Sequence, residues 1–386
     1  MKNILICCEF FEPSVGGVQK VVKELANNFI FFGHKVTIAT SKHLENLPYK
    51  EKLSKNLNIA RFKISGNLTR GINGKITSYQ NYILKSKFDF ILVYAAQQWT
   101  FDALIPILDK INKNIFFAPC GFSGLSQTRY NNYFSNLPKY LKYFNMHVLH
   151  TKTYQDAVFY NNNNIKSKVL IPNGAGLEFL QKYKKDFFLK YKINKNHLNI
   201  LNVSNYRFAK GQDLSILVFF FLKAKDPINL IFIGHDTSSR IYFIYLLCLK
   251  KITEFFFKKK NIFFFKKVDR KDIISAYSSS DIFIFTSRIE CSPLVLFEAA
   301  ASGLPFVSLN VGNADEISKW TKAGATYSNM FKLFFGLNEL LINKKKLKNL
   351  SKNGIYSFKK RFNWRKISKE YLNIFNKYKK KNVHKH

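Results

Sequence analysis

The chain has 386 residues, of which 47% are hydrophobic and 22% are charged. This length predicts two or three domains with a core each, and this composition excludes disordered and fibrous proteins. The formal charge of +38 favours an anionic partner, such as a nucleic acid, an acidic membrane face or a negatively charged substrate. The lysine excess runs along the whole chain together with excess Phe, Asn and Ile, whose codons are rich in A and T. Compositional drift is therefore an equally good explanation of the charge.

The N-terminus and the cysteines indicate a cytoplasmic protein. The start MKNILICCEFFEP turns acidic and reaches Pro13 too early for a signal peptide. None of the five cysteines forms a Cys-x-x-Cys pair, so we expect reduced thiols. The longest apolar runs, LSILVFFFL and IYFIYLLCL, fall short of the roughly 18 residues of a spanning helix. Peripheral attachment to the inner face of the plasma membrane stays open.

The N-terminal half alternates predicted strands and helices. The run NILICC is continuously apolar, as expected for a parallel strand that is covered on both faces. A Gly-Gly turn, the amphipathic helix VQKVVKELANNFIFF and the strand KVTIAT follow it. Further strands are predicted at NIARFKI, FDFILVY, NIFFAPC, HVLHT and KVLIPN, and the segment from Gln127 to Pro138 is predicted to be a loop or short helix. The alternation predicts a doubly wound α/β sheet.

The same pattern restarts after IPNGAG at 171–176. Strands are predicted at LNILNVSN, NLIFIG, NIFFF, DIFIFT and FVSLN, and helices at GQDLSILVFFFLKA, RKDIISAYSS and about Arg240 to Phe257. We therefore predict domains at 1–172 and 173–365, with a helix at about 366–380 that packs back on the first domain. The Phe triplets are expected in the core, and an exposed triplet would indicate membrane contact. The basic end KYKKKNVHKH is expected to fray.

The stretch from Thr286 to Asn310 carries the clearest functional signals. Glu290 lies in a loop after a predicted strand, and Ser292 and Pro293 are predicted as the N-cap and first residue of a helix. The free N–H groups of a helix start attract phosphate. The helix is apolar except for Glu298, and a buried carboxylate needs hydrogen-bond donors or a charged partner. These features favour a sugar-nucleotide site. The structural alternative is a solvated Glu290 and an ion pair of Glu298 with a lysine.

Four segments resemble, in order, the motifs of the retaining glycosyltransferases of family 4, the glycosyl transferases group 1. They are EPSVGGVQKVVKELANNFIFFGHKVTIAT, IPNG, VSNYRFAKGQD and SRIECSPLVLFEAAASGLPFV. The resemblance covers nearly the whole chain, and Glu290 and Glu298, with seven residues between them, match the paired glutamates of that family. It implies the GT-B fold, in which two Rossmann-like doubly wound domains face each other across a cleft. The N-terminal domain then binds the acceptor and the C-terminal domain binds the donor.

The resemblance also implies roles for individual residues. Arg207 and Lys210 hold the donor diphosphate, which gains negative charge as it leaves. Glu290 lies beside the transferred sugar and joins the two cations as a catalytic residue, whereas Glu298 accepts the ribose hydroxyls. The other implied donor-binding residues are Ser292, Pro293, Leu294, Val295, Gly16 and Gly17. The structural alternatives are solvated loop cations at Arg207 and Lys210 and a plain strand-to-helix turn at the glycines.

The loop FAPCGFSG departs from the family, many of whose members carry His or Arg there. Cys120 and Gly121 occupy that position and are assigned to the acceptor side. No His or charged residue is close in sequence to lower the thiol pKa, so Cys120 is interpreted as a small or neutral wall rather than a nucleophile. A dinucleotide-binding fold is excluded, because no Gly-x-Gly-x-x-Gly follows a strand.

The sequence thus predicts a hexosyltransferase-type enzyme that transfers a sugar from a nucleotide-diphosphate donor, with retention, to a glycan or glycolipid acceptor. Surface polysaccharide or lipopolysaccharide synthesis is the expected setting. Expected partners are the nucleotide sugar, a glycan or lipid-linked acceptor and an anionic membrane surface, with no cofactor, metal ion or nucleic acid. Two alternatives stay open: a same-fold sugar-nucleotide enzyme (an epimerase or sucrose-type synthase) and a basic non-catalytic nucleic-acid-binding protein. The diffuse charge and the lack of a nucleic-acid motif count against the latter.

Overall fold

The computed structural model describes residues 1–181, 187–223, 226–235 and 239–382, with only the backbone described for 379–382. The chain divides into two compact units. The N-terminal unit comprises Met1–Asn173 and Trp364–His386, and the C-terminal unit comprises Gly174–Asn363. The division thus falls one residue after the boundary predicted from the sequence, and the C-terminal helix belongs to the first unit.

Within its described residues, the N-terminal unit contains ten strands and six α-helices. The strands are β1 Asn3–Cys7, β2 Lys35–Ser41, β3 Lys50–Ser54, β4 Leu57–Phe62, β5 Ile64–Asn67, β6 Gly71–Gly74, β7 Phe90–Tyr94, β8 Asn114–Ala118, β9 Met146–Leu149 and β10 Lys168–Leu170. The helices are α1 Gly17–Phe31, α2 Ile76–Lys85, α3 Trp99–Asp102, α4 Asn131–Leu141, α5 Gln155–Asn162 and α14 Trp364–Asn382.

Eight of these strands form one sheet in the order β10-β9-β8-β7-β1-β2-β4-β3, which is parallel except for the antiparallel edge pair β3–β4. The strands β5 and β6 form a separate hairpin. The C-terminal helix α14 packs on this unit through Phe375, whose ring centroid lies 4.5 Å from that of Phe116 in β8 and 5.9 Å from that of Phe29 in α1. Burial of these rings holds the last helix to the first unit.

The C-terminal unit has a six-stranded parallel sheet in the order β13-β12-β11-β14-β15-β16. The strands are β11 Leu198–Val203, β12 Ile228–Gly234, β13 Lys260–Lys266, β14 Ile282–Phe285, β15 Phe306–Leu309 and β16 Gly324–Tyr327. The helices are α6 Phe187–Lys190, α7 Gln212–Phe221, α8 Arg240–Phe256, α9 Arg270–Ser279, α10 Leu294–Ala301, α11 Ala314–Thr321, α12 Met330–Ile342 and α13 Lys344–Lys360. One core packs α9, α10 and α11 against the sheet, and another packs α7, α8 and α12, so both faces are covered.

The predicted alternation of strands and helices is confirmed, and the two doubly wound units are those of the GT-B fold. The sequence missed three strands of the N-terminal unit, β3, β5 and β6. Their residues, KEKLS, ISGN and GING, are polar or glycine-rich and mostly exposed, so they lack the apolar runs that mark buried strands. The segment from Gln127 to Pro138 forms a short 3₁₀ turn at Thr128–Tyr130 and then enters α4.

Two local predictions are wrong. The helix α10 begins at Leu294, and Pro293 takes the N-cap position that was predicted for Ser292. The reason is that Pro293 has an extended ψ of 112°, so the first helical residue is the one after it. The triplet at Phe255–Phe257 is not in the core, since Phe255 is 72% exposed and Phe256 is 64% exposed. Of the basic C-terminal segment, residues 383–386 lie outside the described residues.

Candidate active site

The cations and the first glutamate predicted from the sequence converge at one edge of the C-terminal sheet. In this sheet the strand order reverses between the neighbours β11 and β14. Arg207 and Lys210 follow β11, and Glu290 follows β14. Ligands of open α/β sheets bind at such a switch point, outside the carboxyl ends of the strands. Lys210 and Glu290, which are 80 positions apart in the chain, therefore meet where a ligand is expected.

Lys210 and Glu290 form an ion pair at this edge. The distance from Lys210 Nζ to Glu290 Oε1 is 2.6 Å, and Ser287 Oγ donates to the same oxygen at 2.9 Å. The Glu290 side chain is only 14% exposed, and the Lys210 side chain is 30% exposed. The ion pair fixes both side chains in one geometry. It holds the ammonium group of Lys210 beside the switch point between β11 and β14. Arg207 is exposed beside it, immediately before the 3₁₀ turn of Lys210.

The loop that carries Lys210 is bound to the end of β14 through its backbone. Gly211 has a φ of +64°, and a Cβ on it would lie 2.0 Å from the carbonyl oxygen of Thr286. The Thr286 hydroxyl donates to Gly211 O at 2.6 Å, and Arg288 N donates to Ala209 O at 2.8 Å. Only glycine permits this approach without a clash. The position of Lys210 relative to Glu290 therefore depends on Gly211.

A second ion pair braces the same loop. Arg288 donates to both carboxylate oxygens of Asp213, at 2.9 Å and 2.6 Å, and Tyr242 OH donates to Asp213 Oδ1 at 2.8 Å. The Arg288 guanidinium also lies 3.9 Å from the ring centroid of Phe208. Burial raises the pKa of Asp213, but the hydrogen bonds from Arg288 and Tyr242 outweigh it and leave that pKa below its ordinary value. This bidentate pair joins the loop after β14 to the start of α7, and we interpret it as structural.

Glu298 lies in the middle of α10 and is 3% exposed. Its Oε2 accepts a hydrogen bond from Tyr277 OH at 3.2 Å, and its Oε1 lies 3.8 Å from Arg270 Nη1. Arg270 also pairs with Glu178 at 2.9 Å. The predicted need of a buried carboxylate for donors is thus met by a tyrosine and an arginine of α9, rather than by a lysine. The role of Glu298 toward ribose stays a prediction.

The start of α10 lies beside this group. The half-buried Ser292, Leu294 and Val295 and the buried Pro293 form the transition from the Glu290 loop into the helix. Gly312, which follows β15, has a φ of +58°, and a Cβ there would lie 2.5 Å from Cys291 O and 2.8 Å from Glu290 O. The backbone after β15 therefore packs closely against the loop between Glu290 and α10.

The predicted glycine loop belongs to the N-terminal unit. Gly16 is the N-cap of α1 with an extended backbone, and Gly17 is the first helical residue. A Cβ on Gly17 would meet nothing within 4 Å, and one on Gly16 would meet only the flexible side chain of Gln19. The fold of the unit itself therefore does not demand glycine at either position. The predicted role of both, close approach of a ligand to the backbone, stays a prediction.

The sheet of the N-terminal unit also has a switch point, between β1 and β7. A pocket of about 530 Å³ lies at the carboxyl ends of these strands, and we call it the switch-point pocket. Its lining includes Glu9 after β1, Gln97 and Gln98 after β7, and the arginines Arg70 and Arg129. It offers carboxylate, amide and guanidinium groups together, which is the polar complement that a sugar with many hydroxyls requires.

The loops beneath this pocket hold non-glycine residues in the left-handed region. The φ angles are +72° at Ala95, +58° at Gln97, +59° at Cys120 and +44° at Phe122. The loops are joined to each other, since Ala95 N donates to Ala118 O at 2.7 Å and Gly124 N donates to Gln97 Oε1 at 3.2 Å. Such conformations cost about 1–3 kcal/mol each and cluster at ligand sites. The strained backbone of these loops therefore lies next to the switch-point pocket.

Two carboxyl groups near the switch-point pocket have raised pKa values. Burial, followed by the charge of Asp102, raises the pKa of Glu9 to about 7, and Arg70 opposes that rise. Burial also raises the pKa of Asp102 to about 6, although Leu68 N and Tyr133 OH donate to it at 2.8 Å each. Perturbed carboxyl groups in a cleft are typical of functional sites.

Cys120 and Gly121 lie in the loop after β8, three residues before Ser123 and Gly124, which line the pocket. Gly121 N donates to Asp156 Oδ2 at 3.0 Å. Burial and the charge of Asp156 raise the pKa of the Cys120 thiol to about 12, so it is a neutral thiol at physiological pH. This agrees with the interpretation of Cys120 as a wall rather than a nucleophile.

Comparison with known proteins links the C-terminal unit to one family. Residues 184–356 match the model of the family described as glycosyl transferases group 1. The match lies within the C-terminal unit and includes Arg207, Lys210, Glu290 and Glu298. This region of the chain is therefore similar to the glycosyl transferases group 1. A curated relative, spore coat protein SA of Bacillus subtilis, is 29% identical over 125 residues, which are 31% of this chain and 33% of the relative's length.

Solved structures resemble this chain over nearly its full length. Sucrose-phosphate synthase from Thermosynechococcus elongatus superposes with a TM-score of 0.81 at 15% identity, and covers 98% of this chain and 99% of its own. Anabaena HepE, in complex with UDP and glucose, has a TM-score of 0.72 at 14% identity, with 98% and 100% covered. WaaG, a glycosyltransferase involved in lipopolysaccharide biosynthesis, has a TM-score of 0.68 at 17% identity, with 96% and 99% covered. At these identities the likeness shows the fold.

The sequence analysis missed several residues that shape the two candidate sites. Gly312 could have been found, because a glycine after the strand FVSLN is a turn signal like the one at Gly211. Glu9 lies two residues after the end of β1, and its place near a strand end was its only signal. Arg70 and Arg129 carry no local signal, since loops bring them to the pocket from separate parts of the chain.

Proposed function

We propose that this protein is a glycosyltransferase, which transfers a sugar, with retention of anomeric configuration, from a nucleotide-diphosphate donor to a glycan or glycolipid acceptor. The C-terminal unit binds the donor, and the N-terminal unit binds the acceptor in its switch-point pocket. The observation that carries the proposal is the Lys210–Glu290 pair at the β11/β14 switch point, beside the start of α10. It places a fixed cation and a fixed carboxylate where the diphosphate and its sugar are expected.

The proposed chemistry follows from the charge that develops as the glycosidic bond breaks. The leaving diphosphate gains negative charge, and fixed cations aimed at that charge lower the barrier. Lys210 supplies a point charge and Arg207 a planar fork. Glu290 holds Lys210 in place and lies beside the sugar, while Glu298 accepts the ribose hydroxyls. We assign no protein nucleophile, metal ion or cofactor: the leaving phosphate takes the proton of the acceptor hydroxyl on the same face.

The setting that we propose is the synthesis of a surface polysaccharide or lipopolysaccharide. Support comes from the likeness in fold to WaaG, whose stated role is in lipopolysaccharide biosynthesis, and from the partial match to a spore coat protein. The likeness to HepE, which was solved with UDP and glucose, supports a nucleotide sugar as donor. The likeness to sucrose-phosphate synthase supports the alternative of a sucrose-type synthase with a small sugar acceptor.

The test removes one side chain at a time from the donor site. We expect Lys210→Ala and Glu298→Ala each to lower turnover of a nucleotide sugar by about tenfold or more, because each removes a contact to the leaving group. The matched controls are Lys345→Ala and Glu339→Ala, which remove an exposed lysine and an exposed glutamate of the same unit. Circular dichroism checks the fold. Near-wild-type turnover in both site variants contradicts the assignment.

Product analysis separates the chemistries. Proton NMR of the first product reports the anomeric configuration, and a configuration opposite to that of the donor excludes a retaining transferase. Conversion of the donor without an acceptor into an isomeric sugar nucleotide indicates an epimerase. A small phosphorylated or free sugar that serves as well as a glycan acceptor favours the synthase alternative. Unchanged turnover in excess EDTA is the expected result for transfer without a metal ion.

We also propose that the enzyme works on an anionic membrane face, which its helix α8 contacts. The exposed side of α8 is a stripe of seven apolar residues at helical spacing, which we call the α8 stripe: Ile241, Ile244, Tyr245, Cys248, Ile252, Phe255 and Phe256. The opposite side of the helix already packs on the core through Leu246. In the described ranges no helix is both long and apolar enough to cross a membrane.

Charge around the α8 stripe favours an acidic bilayer over a second copy of the chain. The helix and the two residues after Phe257 carry five basic side chains and one acidic side chain: Arg240, Lys250, Lys251, Lys258, Lys259 and Glu254. Two such faces would repel each other, whereas apolar side chains flanked by lysines suit the interface of an anionic membrane.

Co-sedimentation with vesicles tests this contact. Wild-type protein is expected to pellet with vesicles of phosphatidylglycerol and phosphatidylcholine and to stay in solution with phosphatidylcholine alone. The double variant Ile241→Ser and Phe255→Ser should bind the vesicles roughly tenfold more weakly, because two apolar side chains that would enter the membrane interface are lost. Leu189→Ser with Tyr356→Ser changes exposed apolar residues elsewhere in the unit and should not. Equal binding by both double variants excludes the α8 stripe.

A further inference from the structure

A second and larger pocket of the N-terminal unit has no role in the function proposed so far. It has a volume of about 900 Å³ and lies at the carboxyl ends of β2 and β4, under the hairpin β5–β6. Five cations line it: Lys42, Lys50, Arg61, Lys63 and Lys75. Four aromatic rings line it as well: Phe10, Tyr49, Phe62 and Tyr82. We call it the basic pocket.

The positive charge of the basic pocket is only partly compensated. Among the described residues that line it, none is acidic. Glu45 reaches Lys63 at 3.0 Å and Lys42 at 3.7 Å, and Glu51 reaches Arg61 at 2.7 Å. Two carboxylates against five cations leave an excess of three positive charges. Such an excess in a concave site attracts anions more strongly than the same charges on a flat surface do.

One of these cations is built into the protein rather than left in solvent. The Arg61 side chain is 2% exposed and is held by Pro48 O, at 3.2 Å, Glu12 O, also at 3.2 Å, and Glu51. Its Nε is buried and has no hydrogen-bond partner in the part of the chain that the structure describes. The other four cations surround the same space.

The basic pocket adjoins the switch-point pocket. Phe10 and Ser65 line both. Phe10 comes directly after Glu9, and its ring makes an edge contact with His43 in the basic pocket, with the centroids 5.6 Å apart. An extended ligand can therefore place one end at the β1/β7 switch point and the other among the cations. Aromatic rings beside cations suit a carbohydrate that carries negative charge, because the rings pack on the sugar faces and the cations bind the charge.

We infer that the acceptor of this enzyme is acidic, and that the basic pocket binds its carboxylate or phosphate group while the reacting hydroxyl lies in the switch-point pocket. This inference rests on the acceptor role proposed above for the N-terminal unit. It narrows the acceptor to glycans with a uronic acid or phosphorylated sugar, or to glycans linked to a lipid through phosphate. A neutral glycan leaves the excess positive charge of the basic pocket uncompensated, whereas an acidic group forms charge-assisted contacts with it.

The experiment compares three disaccharides that differ only in their last residue, which is glucose, glucuronate or glucose 6-phosphate. Dissociation constants are measured by NMR titration of the full-length protein. We expect at least one acidic disaccharide to bind roughly tenfold more tightly than the neutral one, as a charge-assisted contact provides. The carboxylate and phosphate arms distinguish the two sources of the charge. Equal binding of all three, or binding of none, overturns the inference.

A triple variant assigns the preference to the basic pocket. Lys50→Gln, Lys63→Gln and Lys75→Gln neutralise its three exposed cations and leave the buried Arg61 in place. The acidic disaccharide should lose roughly tenfold in affinity and the neutral one should change little. The matched control is Lys344→Gln, Lys345→Gln and Lys348→Gln on α13, which removes the same charge from an exposed helix. Equal losses in both triple variants reduce the effect to net charge and contradict the inference.

A nucleoside diphosphate separates this inference from the proposed donor site. The triple variant of the basic pocket should bind it as the wild type does, and Lys210→Ala should bind it more weakly. If the triple variant no longer binds the nucleoside diphosphate, the basic pocket belongs to the donor site and the inference is overturned. If Lys210→Ala keeps full affinity, the donor assignment fails, but the preference for acidic disaccharides is still decided by the other measurements.

Discussion

The two units have the same kind of site and encode it differently. Both place functional groups at the carboxyl ends of the strands where the strand order reverses, β11 and β14 in one unit and β1 and β7 in the other. In the C-terminal unit the groups come from two short segments, and Lys210 and Glu290 are already paired. In the N-terminal unit they come from several loops, and four non-glycine residues there have positive φ angles.

Under the function proposed above, the difference reflects what each site recognises. A diphosphate has fixed geometry, so the cations and the helix start that are proposed to hold it keep a fixed spacing, which a short motif can encode. An acceptor varies in shape and charge, and loops of different origin adapt to it. The proposed donor site can thus be predicted from the sequence, whereas the proposed acceptor site can be identified only in the folded structure.

The largest expected effect concerns glycine, which serves different purposes in the two units. Gly211→Ala should destabilise the protein by about 3 kcal/mol, because the new Cβ meets the Thr286 carbonyl and the residue has a positive φ. It should also reduce turnover, since Lys210 is displaced with the loop. Gly17→Ala should leave stability nearly unchanged, because its Cβ meets nothing within 4 Å. Thermal unfolding and turnover of both variants are the measurements.

The two substitutions also distinguish fold from function at Gly17. Reduced turnover in Gly17→Ala at unchanged melting temperature supports close approach of a ligand to the α1 start. Unchanged turnover assigns Gly17 to a plain strand-to-helix turn. If Gly211→Ala melts like the wild type, the close contact between the two loops is not a constraint, and the position of Lys210 must have another cause.

Much of the fold could be predicted from the sequence, because buried parallel strands and the helices that cover them leave strong apolar patterns. The boundary of α9 at Arg270–Ser279 coincides with the predicted segment. The exposed edge strand β3 and the hairpin β5–β6 could not be predicted, because their polar residues resemble loops. These same elements form much of the basic pocket. The outward face of α8 was also hidden, because apolar residues on both sides of a helix predict burial.

A smaller effect is expected at the ion pair between Asp213 and Arg288, which supports the loop that carries Lys210. Asp213→Asn leaves the Arg288 guanidinium without its carboxylate, and should cost about 2 kcal/mol at neutral pH. The pKa of Asp213 is below its ordinary value in the folded protein, so its contribution is present above that ordinary value, about 4, and is lost as the pH falls further. Unfolding free energies of wild type and variant should therefore converge in acid.

The control for this pair is Asp315→Asn. Asp315 is in the same unit, and a single hydrogen bond from an exposed lysine, Lys319, is the largest cause that lowers its pKa. Its removal should cost well under about 1 kcal/mol, as for other exposed pairs. A cost for Asp213→Asn as small as this, or one that does not shrink in acid, contradicts the role of the Arg288 pair.

The smallest effect belongs to the N-terminal unit and has the opposite sign. Burial and Asp102 raise the pKa of Glu9 to about 7, above its ordinary value of about 4.5. The folded protein therefore binds a proton that the unfolded chain has released, and stability falls as the pH rises from 4.5 to 7. Glu9→Gln should flatten this fall, by about 1 kcal/mol after allowance for solvent screening.

Glu45→Gln in the same unit is the control, because Lys63 lowers the pKa of Glu45 and its contribution is lost toward acid instead. Melting temperatures of the three proteins from pH 5 to pH 8 decide the matter: a wild-type profile parallel to that of Glu9→Gln means that Glu9 is ionised throughout, and that the switch-point pocket presents a fixed negative charge to its acceptor.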